Sequence, residues 1–230
     1  MKKAAVCLKN RDRLEEIRSL LKEKDLEYVE DNPDFVISLG GDGTFLYSER
    51  KYPGIPKLII KDSKVCRKCV GENEDTILDL INKDDYYVEE ELKIEGDFDG
   101  KKIIAVNDII LRNKVPNKAI RLDLHINEEK THEEVIGDGV IIATPFGSTA
   151  YYHSITRDSF KQGIGVAFNN PTEAHKPLKL GENQELKITM LRGDAHIAYD
   201  QAPNICNLKE GESIIIKRSE QKAKIIRLEE

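Results

Sequence analysis

A chain of 230 residues can bury a substantial core and is long enough for one large or two small domains. Its charged fraction of 34%, with both signs mixed, indicates a soluble protein, and a formal net charge of −6 argues against nucleic acid as the main partner, because binding a phosphate backbone needs a basic footprint. No apolar run approaches the roughly 20 residues that span a bilayer, so no membrane is expected.

Met1-Lys2-Lys3 leads into Ala4–Leu8, an apolar segment that reads as a first strand rather than a signal peptide, which implies a cytoplasmic protein. Leu14, Ile17, Leu20 and Leu21 then recur at helical spacing. Phe35–Leu39 reads as a strand, Thr44–Lys51 as a short helix, Lys57–Lys61 as a strand, and Glu74–Lys83 as a helix with Ile77, Leu78, Leu80 and Ile81 inward. Such alternation favours a parallel α/β sheet with its ligand loop at the carboxyl end of a strand. Gly40-Gly41-Asp42-Gly43-Thr44 is that loop: the strand delivers the chain into glycines that let backbone N–H groups approach a phosphate, and the following helix adds unpaired N–H groups and a favourable dipole. The other reading of the same residues is a tight turn whose Asp42 bonds its own backbone.

Four cysteines do not make a disulfide framework in a chain of this size, and Cys66-x-x-Cys69 is half a zinc site with no second pair at ligand spacing, so no metal site is expected. From about Tyr86 the pattern changes. Tyr86–Ile94 and Lys101–Arg112 flank the turn-rich Glu95–Gly100, and Ile120, Leu122, Leu124 and Ile126 alternate with polar residues. Val140–Ala143, Gly163–Phe168, Glu185–Met190, His196–Ala198 and Ser213–Lys217 are further short strands, with one helix beginning near Ser148. Inside the apolar run Ala105–Leu111 sit Asn107 and Asp108, an amide and an acid that strand propensity disfavours. Buried, they need a partner, which is either backbone at a bulge or a ligand. Gly137–Tyr151 repeats the earlier design, a Gly-Asp-Gly turn feeding a short strand and then a small-residue, hydroxyl-rich loop.

Gly40–Thr44, Asn107-Asp108 and Asp138–Tyr151, in that order and spacing, resemble the three signature segments of the NAD kinase family, also called ATP-NAD or polyphosphate/ATP-NAD kinases. Lipid kinases of the diacylglycerol and sphingosine type and phosphofructokinases share only the glycine-Asp turn. The similarity extends to Ala198–Gln201 and to the closing strand Lys222–Leu228. It implies a Rossmann-like α/β domain over residues 1–88, an all-β, β-sandwich-like domain over residues 89–217 that binds NAD and supplies an oligomer interface, and a final strand, about 218–230, returning to the first domain. The implied reaction moves the γ-phosphoryl group of ATP, or polyphosphate, onto the 2′-hydroxyl of the adenosine ribose of NAD, with Mg²⁺ or another divalent cation accompanying ATP.

The resemblance assigns Gly40, Gly41, Gly43 and Thr44 to the phosphates, Thr44 either touching one or capping the helix. Asp42 becomes the acceptor of the hydroxyl proton or, alternatively, the holder of Mg²⁺. Asp42, Gly43, Asn107 and Asp108 meet NAD, Asp138 lies beside the nicotinamide ribose, and Thr149, Ala150 and Tyr151 line the adenine and ribose pocket, unless Tyr151 is an ordinary core tyrosine. Thr144 and Ser148 read equally as structural hydroxyls or as contacts. A homodimer or homotetramer is implied as well. Two departures stand out: the family's Gly-Ile-Asn and Gly-Phe-Leu segments are replaced by Ile59–Cys66, and Phe146 takes a position usually held by a small polar residue. They keep two alternatives open, a kinase of the same fold for another hydroxyl acceptor and a non-catalytic dinucleotide-binding sensor.

Overall fold

The structure is a computed structural model that describes residues 1–62 and 74–228. Cys66, Cys69 and the altered stretch from Ser63 to Cys66 lie outside the described residues. The chain divides into two compact units, Met1–Glu91 with the segment from Lys222 onward, and Leu92–Gln221.

In the first unit, β1 (Lys3–Leu8), a 3₁₀ turn at Arg11–Arg13, α1 (Leu14–Glu23), β2 (Glu27–Tyr28), β3 (Phe35–Gly40), α2 (Asp42–Lys51), β4 (Lys57–Lys61) and α3 (Glu74–Asn82) follow one another. The pairings of β1 to β4 are parallel: β1 lies between β2 and β3, β4 follows β3, and Ile225 near the C-terminus pairs with Lys57. Such a sheet is buried on both faces, which is why Phe35–Gly40 carries no polar alternation and every residue in it is buried. One face packs Ala4, Phe35, Ile37, Leu39, Leu58 and Ile60 against Ile17 and Leu21 of α1 and Ile77, Leu78 and Ile81 of α3. The helical spacing read from Leu14–Leu21 and Glu74–Lys83 corresponds to these inward stripes. A buried ion pair joins Lys57 to Glu49 of α2; Lys57 also donates to the Tyr52 carbonyl at 2.5 Å, and the Gly54 N–H donates to Glu49 at 3.2 Å.

The chain leaves the first unit along β5 (Tyr86–Phe98) and returns along β16 (Ser213–Leu228). Between them come β6 (Lys101–Ala105), β7 (Asp108–Asn113), β8 (Ile120–Ile126), β9 (Glu129–Gly137), β10 (Gly139–Ala143), a 3₁₀ turn at Gly147–Thr149, α4 (Tyr151–Thr156), β11 (Ile164–Asn169), β12 (Leu178–Leu180), β13 (Leu186–Arg192), β14 (Ala195–Tyr199) and β15 (Cys206–Leu208). One antiparallel sheet of this unit runs β12-β11-β10-β7-β14-β15; in the other, β13 pairs with β8 and with the start of β16, and β8 pairs with β9. Alternate residues such as Ile109, Leu111, Val140, Ile142 and Val166 join Leu122, Leu124, Ile188 and Ile214 in one core. Their neighbours Ile110, Ile141, Ala143 and Ala167 pack on Tyr151, Tyr152 and Ile155 of α4. The six-stranded sheet is thus apolar on both faces across its middle, and Gly139–Ala143 reads as an unbroken apolar run.

Several boundaries differ from the sequence reading. Helix α2 starts at Asp42 rather than Thr44, so the acid stands on the helix. The strand read as Tyr86–Ile94 continues to Phe98, leaving Asp99 and Gly100, with φ of 50° and 68°, as a two-residue hairpin turn. Lys101–Arg112 breaks into two strands at Val106-Asn107, and Ser213–Lys217 and Lys222–Leu228 are parts of one strand. Strand β9 escaped notice because Glu129–Glu134 is nearly all polar, the composition of a protected sheet edge.

Candidate functional site

The first signature segment closes β3 and opens α2. Gly41 is the N-cap in extended backbone, and Asp42, partly exposed, occupies the first helical position, where a negative charge faces the positive end of the helix dipole. The Thr44 amide donates to the Gly41 carbonyl at 2.9 Å, and the Gly41 amide points at the Thr44 hydroxyl at 3.5 Å. Thr44 thus makes the contact of the capping reading. Gly40 is needed because a Cβ there would lie 2.2 Å from the Thr44 hydroxyl oxygen. Gly41 and Gly43 stay accessible at the mouth of the helix, an arrangement suited to an anion.

The second and third segments come together at one end of the six-stranded sheet. β6 stops and β7 starts around Val106-Asn107 because a carboxylate, not a strand, satisfies the backbone there. Asp200, in the turn after β14, accepts from the amides of Val106 and Asn107 at 2.7 Å each and of Asp108 at 3.4 Å. The Asp200 amide donates back to the Asp108 carbonyl at 3.4 Å. From the loop after β10, the Thr144 hydroxyl donates to the Val106 carbonyl at 2.5 Å and accepts from the Gly147 amide at 3.1 Å. Gly147 must be glycine, since a Cβ would lie 2.0 Å from the Asn107 carbonyl oxygen. The partner of the disfavoured Asn-Asp pair is thus partly protein, yet the Asp108 side chain itself receives no hydrogen bond among the described residues.

Asp108 is only 5% exposed. Burial, and then the neighbouring Asp200 charge, push its pKa up to about 7. Burial raises Asp200 as well, while its three backbone donors and the nearby Lys93 pull the other way. Lys93, on β5, is itself buried. Neither Asp200 nor Lys93 received a role in the sequence reading. An Asp-Gln at a strand end was the only signal for Asp200, and a lysine in a strand carries none for Lys93.

Asp138 lies elsewhere. Register pairs Asp108 with Ala143 and Arg112 with Gly139, so Asp138 sits at the far end of the β7–β10 pair. At about 3.3 Å per strand residue that is on the order of 16 Å away. There it accepts from Asn113 at 3.2 Å and Asn170 at 3.1 Å. Thr149, Ala150 and Tyr151 follow the Gly147 turn: Ala150 is exposed, Thr149 and Tyr151 are half-buried, and the core tyrosine is Tyr152 next door. The Ser148 hydroxyl lies 2.8 and 3.0 Å from the Pro145 and Phe160 carbonyls, to one of which it donates, and accepts from the Phe160 amide at 3.2 Å. Phe146 is buried at 4% exposure, so its ring is packed away from solvent. A cavity of about 660 Å³ elsewhere in this unit, lined by Glu95, Lys102, Glu182, Lys217 and Arg218 among others, contains no signature residue. Among the described residues no group of three or more His, Cys, Asp or Glu is placed to hold a metal, and no helix is long and apolar enough to cross a membrane.

A carboxylate on a glycine-rich strand-to-helix turn, and a buried amide-acid turn on an antiparallel sandwich, are the equipment of a nucleotide-dependent phosphotransferase. The family model for the ATP-NAD kinase C-terminal domain matches residues 106–228. A NAD kinase of Caldicellulosiruptor saccharolyticus is 33% identical, over 94% of this chain and 88% of that one, and a NAD kinase of Sulfurisphaera tokodaii is 31% identical over 92% and 88%. Two solved structures share the fold. A NAD kinase from Archaeoglobus fulgidus in complex with ATP gives a TM-score of 0.83 at 23% identity, covering 99% of this chain and 94% of that one. Yeast NADH kinase complexed with NADH gives 0.89 at 17% identity, covering 100% and 84%. The chain belongs to the NAD kinase family, and its chemistry is that of a phosphotransferase.

Proposed function

We propose that the chain transfers the γ-phosphoryl group of MgATP to the 2′-hydroxyl of the adenosine ribose of NAD, giving NADP and ADP. The observation that carries this reading is the intact acid at the head of α2, Asp42, within a chain of this family. The ribose oxygen forms a bond to the γ-phosphorus as the bond from that phosphorus to the β,γ-bridging oxygen breaks, and the hydroxyl proton passes to Asp42. Such a transfer asks the protein for in-line placement, charge neutralisation and a proton acceptor rather than covalent participation. Gly40, Gly41 and Gly43, lacking side chains, let the phosphates come close to the head of α2, with its dipole behind them. Asn107 and Asp108 hold the adenylate half of NAD, and Thr149, Ala150 and Tyr151 wall the base.

Asp138 takes part through a second copy of the chain, in a homodimer or homotetramer built on the β-rich unit; its distance from Asp108 along the strand pair supports that placement. The test is NADP formation from NAD and MgATP, read through an NADP-specific dehydrogenase. Asp42→Asn is expected to lower kcat by about 10²–10⁴-fold, the range for a lost proton acceptor, with the melting temperature little changed. Equal rates in wild type and variant would remove Asp42 from the reaction; ATP consumption only with other hydroxyl acceptors would change the substrate.

A further inference from the structure

We propose that Asp200 is a positioning residue that does two things at once: its carboxylate clamps the backbone of Val106–Asp108, and its charge keeps Asp108 a carboxylic acid that meets the dinucleotide as a hydrogen-bond donor. The second half rests on the reading of NAD as acceptor substrate; the first does not.

The geometry makes the two acids unequal. Both are nearly sealed from water, Asp200 at 3% and Asp108 at 5% exposure. Asp200 uses one oxygen on the Val106 amide and the other on the amides of Asn107 and Asp108. Burial raises Asp200 too, but three N–H donors and the Lys93 charge oppose it and favour the ionised form. The Asp108 carboxyl has no such donor and faces the Asp200 charge. When two buried carboxyl groups share a site, the proton rests on the one with fewer donors. Among the described residues the charge of Asp200 acts on Asp108 and that of Lys93 on Asp200; Thr144 and Gly147, packed on the same turn from the β10 loop, are uncharged.

Position also fixes where that proton points. Asp108 lies two residues before Ile110 on β7 and pairs with Ala143, so it faces the side of the sheet that α4 covers rather than the sandwich core. Beside it stands the loop that carries Thr149–Tyr151. A protonated acid there can donate to a ring nitrogen or ribose oxygen; an ionised one can only accept. Asp200 thereby selects for ligands that present an acceptor.

Two measurements test this. Hydrogen exchange in the ligand-free protein reads the clamp: Asp200→Asn keeps one acceptor oxygen and is expected to speed exchange at Val106, Asn107 and Asp108 about tenfold or more, with Asp200→Glu intermediate and the β8 and β13 amides unchanged. Unchanged exchange at those three amides would overturn the clamp. Calorimetry of NAD binding from pH 6 to 8.5, in buffers of different ionisation heat, reads the proton. Wild type is expected to weaken about tenfold per pH unit above about 7, taking up close to one proton per NAD bound. Asp108→Asn should show a flat profile, and Asp200→Asn should move the wild-type midpoint to lower pH, which a merely structural contact would not do. A flat wild-type profile would mean that Asp108 binds as an anion, and an unmoved midpoint in folded Asp200→Asn would mean that Asp200 does not set its protonation; either would overturn the proposal. Should Asp200→Asn not fold, the wild-type profile and Asp108→Asn still decide. Absence of NAD binding at every pH, with the exchange result as expected, would keep the clamp and reject NAD as the acceptor.

Discussion

The two units hold their signature acids by opposite means. Asp42 stands partly exposed on the first turn of α2, where strand, glycine and helix dipole together make a favourable place for a negative group. Asp108 is sealed on the α4 side of the six-stranded sheet beside a second acid, with its backbone held and its side chain undonated among the described residues. The acid proposed to take the substrate's proton stands at an accessible helix end. The acid proposed to recognise the dinucleotide is held by burial and by Asp200 away from the ordinary carboxylate state, and the surrounding packing supplies the energy. The first unit also buries charge, but there Lys57 and Glu49 answer each other.

This contrast predicts stability changes of opposite sign. Lys57→Met leaves Glu49 buried without its cation and is expected to cost about 3–5 kcal/mol, partly recovered by adding Glu49→Gln. Denaturant unfolding measures it, and a loss under 1 kcal/mol would show the pair to be incidental. Asp108→Asn is expected to stabilise. An acid raised in the fold contributes nothing below the ordinary carboxylate pKa, where both states are protonated. As pH rises from there toward about 7 the unfolded chain ionises while the fold does not, so stability is lost, and the loss is constant above. The variant escapes it, gaining at most on the order of 4 kcal/mol at pH 8 and nothing at pH 3.5. An equal change at both pH values would mean that Asp108 is not held against its ordinary state.

The glycines sharpen the same comparison. Gly147→Ala drives a methyl into the backbone carbonyl of Asn107, which cannot rotate away, and is expected to cost about 1–3 kcal/mol while displacing the 106–108 turn and weakening NAD. Gly40→Ala meets the Thr44 side chain instead, so Thr44→Ala should relieve part of its smaller cost. Equal costs, with no relief, would erase the distinction between a backbone and a side-chain obstacle.

Much of this arrangement was legible in the residues, for reasons that differ by region. The first unit was read almost element by element, because parallel strands buried on both faces and helices with one apolar stripe leave strong local patterns, as in Phe35–Gly40 and Leu14–Glu23. The second unit was legible as β-rich, but edge strands of three residues, and the polar β9, carry too little pattern to see. At the site, Asn107 and Asp108 announced themselves by being polar inside an apolar run. Asp200 did not, since its partners are amides 92 to 94 residues away and a contact of that kind leaves no local trace. Asp138 illustrates the converse: it shares a motif with the 144–151 loop in sequence, yet strand β10 carries the two ends of that motif apart.

The smallest expected effect concerns a third kind of buried polar group, one that neither pairs nor serves the site. His132 on β9 lies 5.2 Å from the Phe168 ring and 5.5 Å from the His175 ring, with its Nδ1 buried and without a partner among the described residues. Burial, and then the charge of His175, lower its pKa from the ordinary value. As pH falls through the ordinary histidine range the unfolded chain takes a proton that the fold resists, so stability is lost from there down to the lowered value and no further. His132→Phe removes that loss and keeps a third ring in the stack. Relative to wild type its melting temperature should rise as pH drops from 7 to 5, by the equivalent of about 1 kcal/mol or less given the solvent near the ring. A difference independent of pH would assign the whole effect to ring packing, and His132 would then belong with the apolar core of the sandwich rather than with its buried charges.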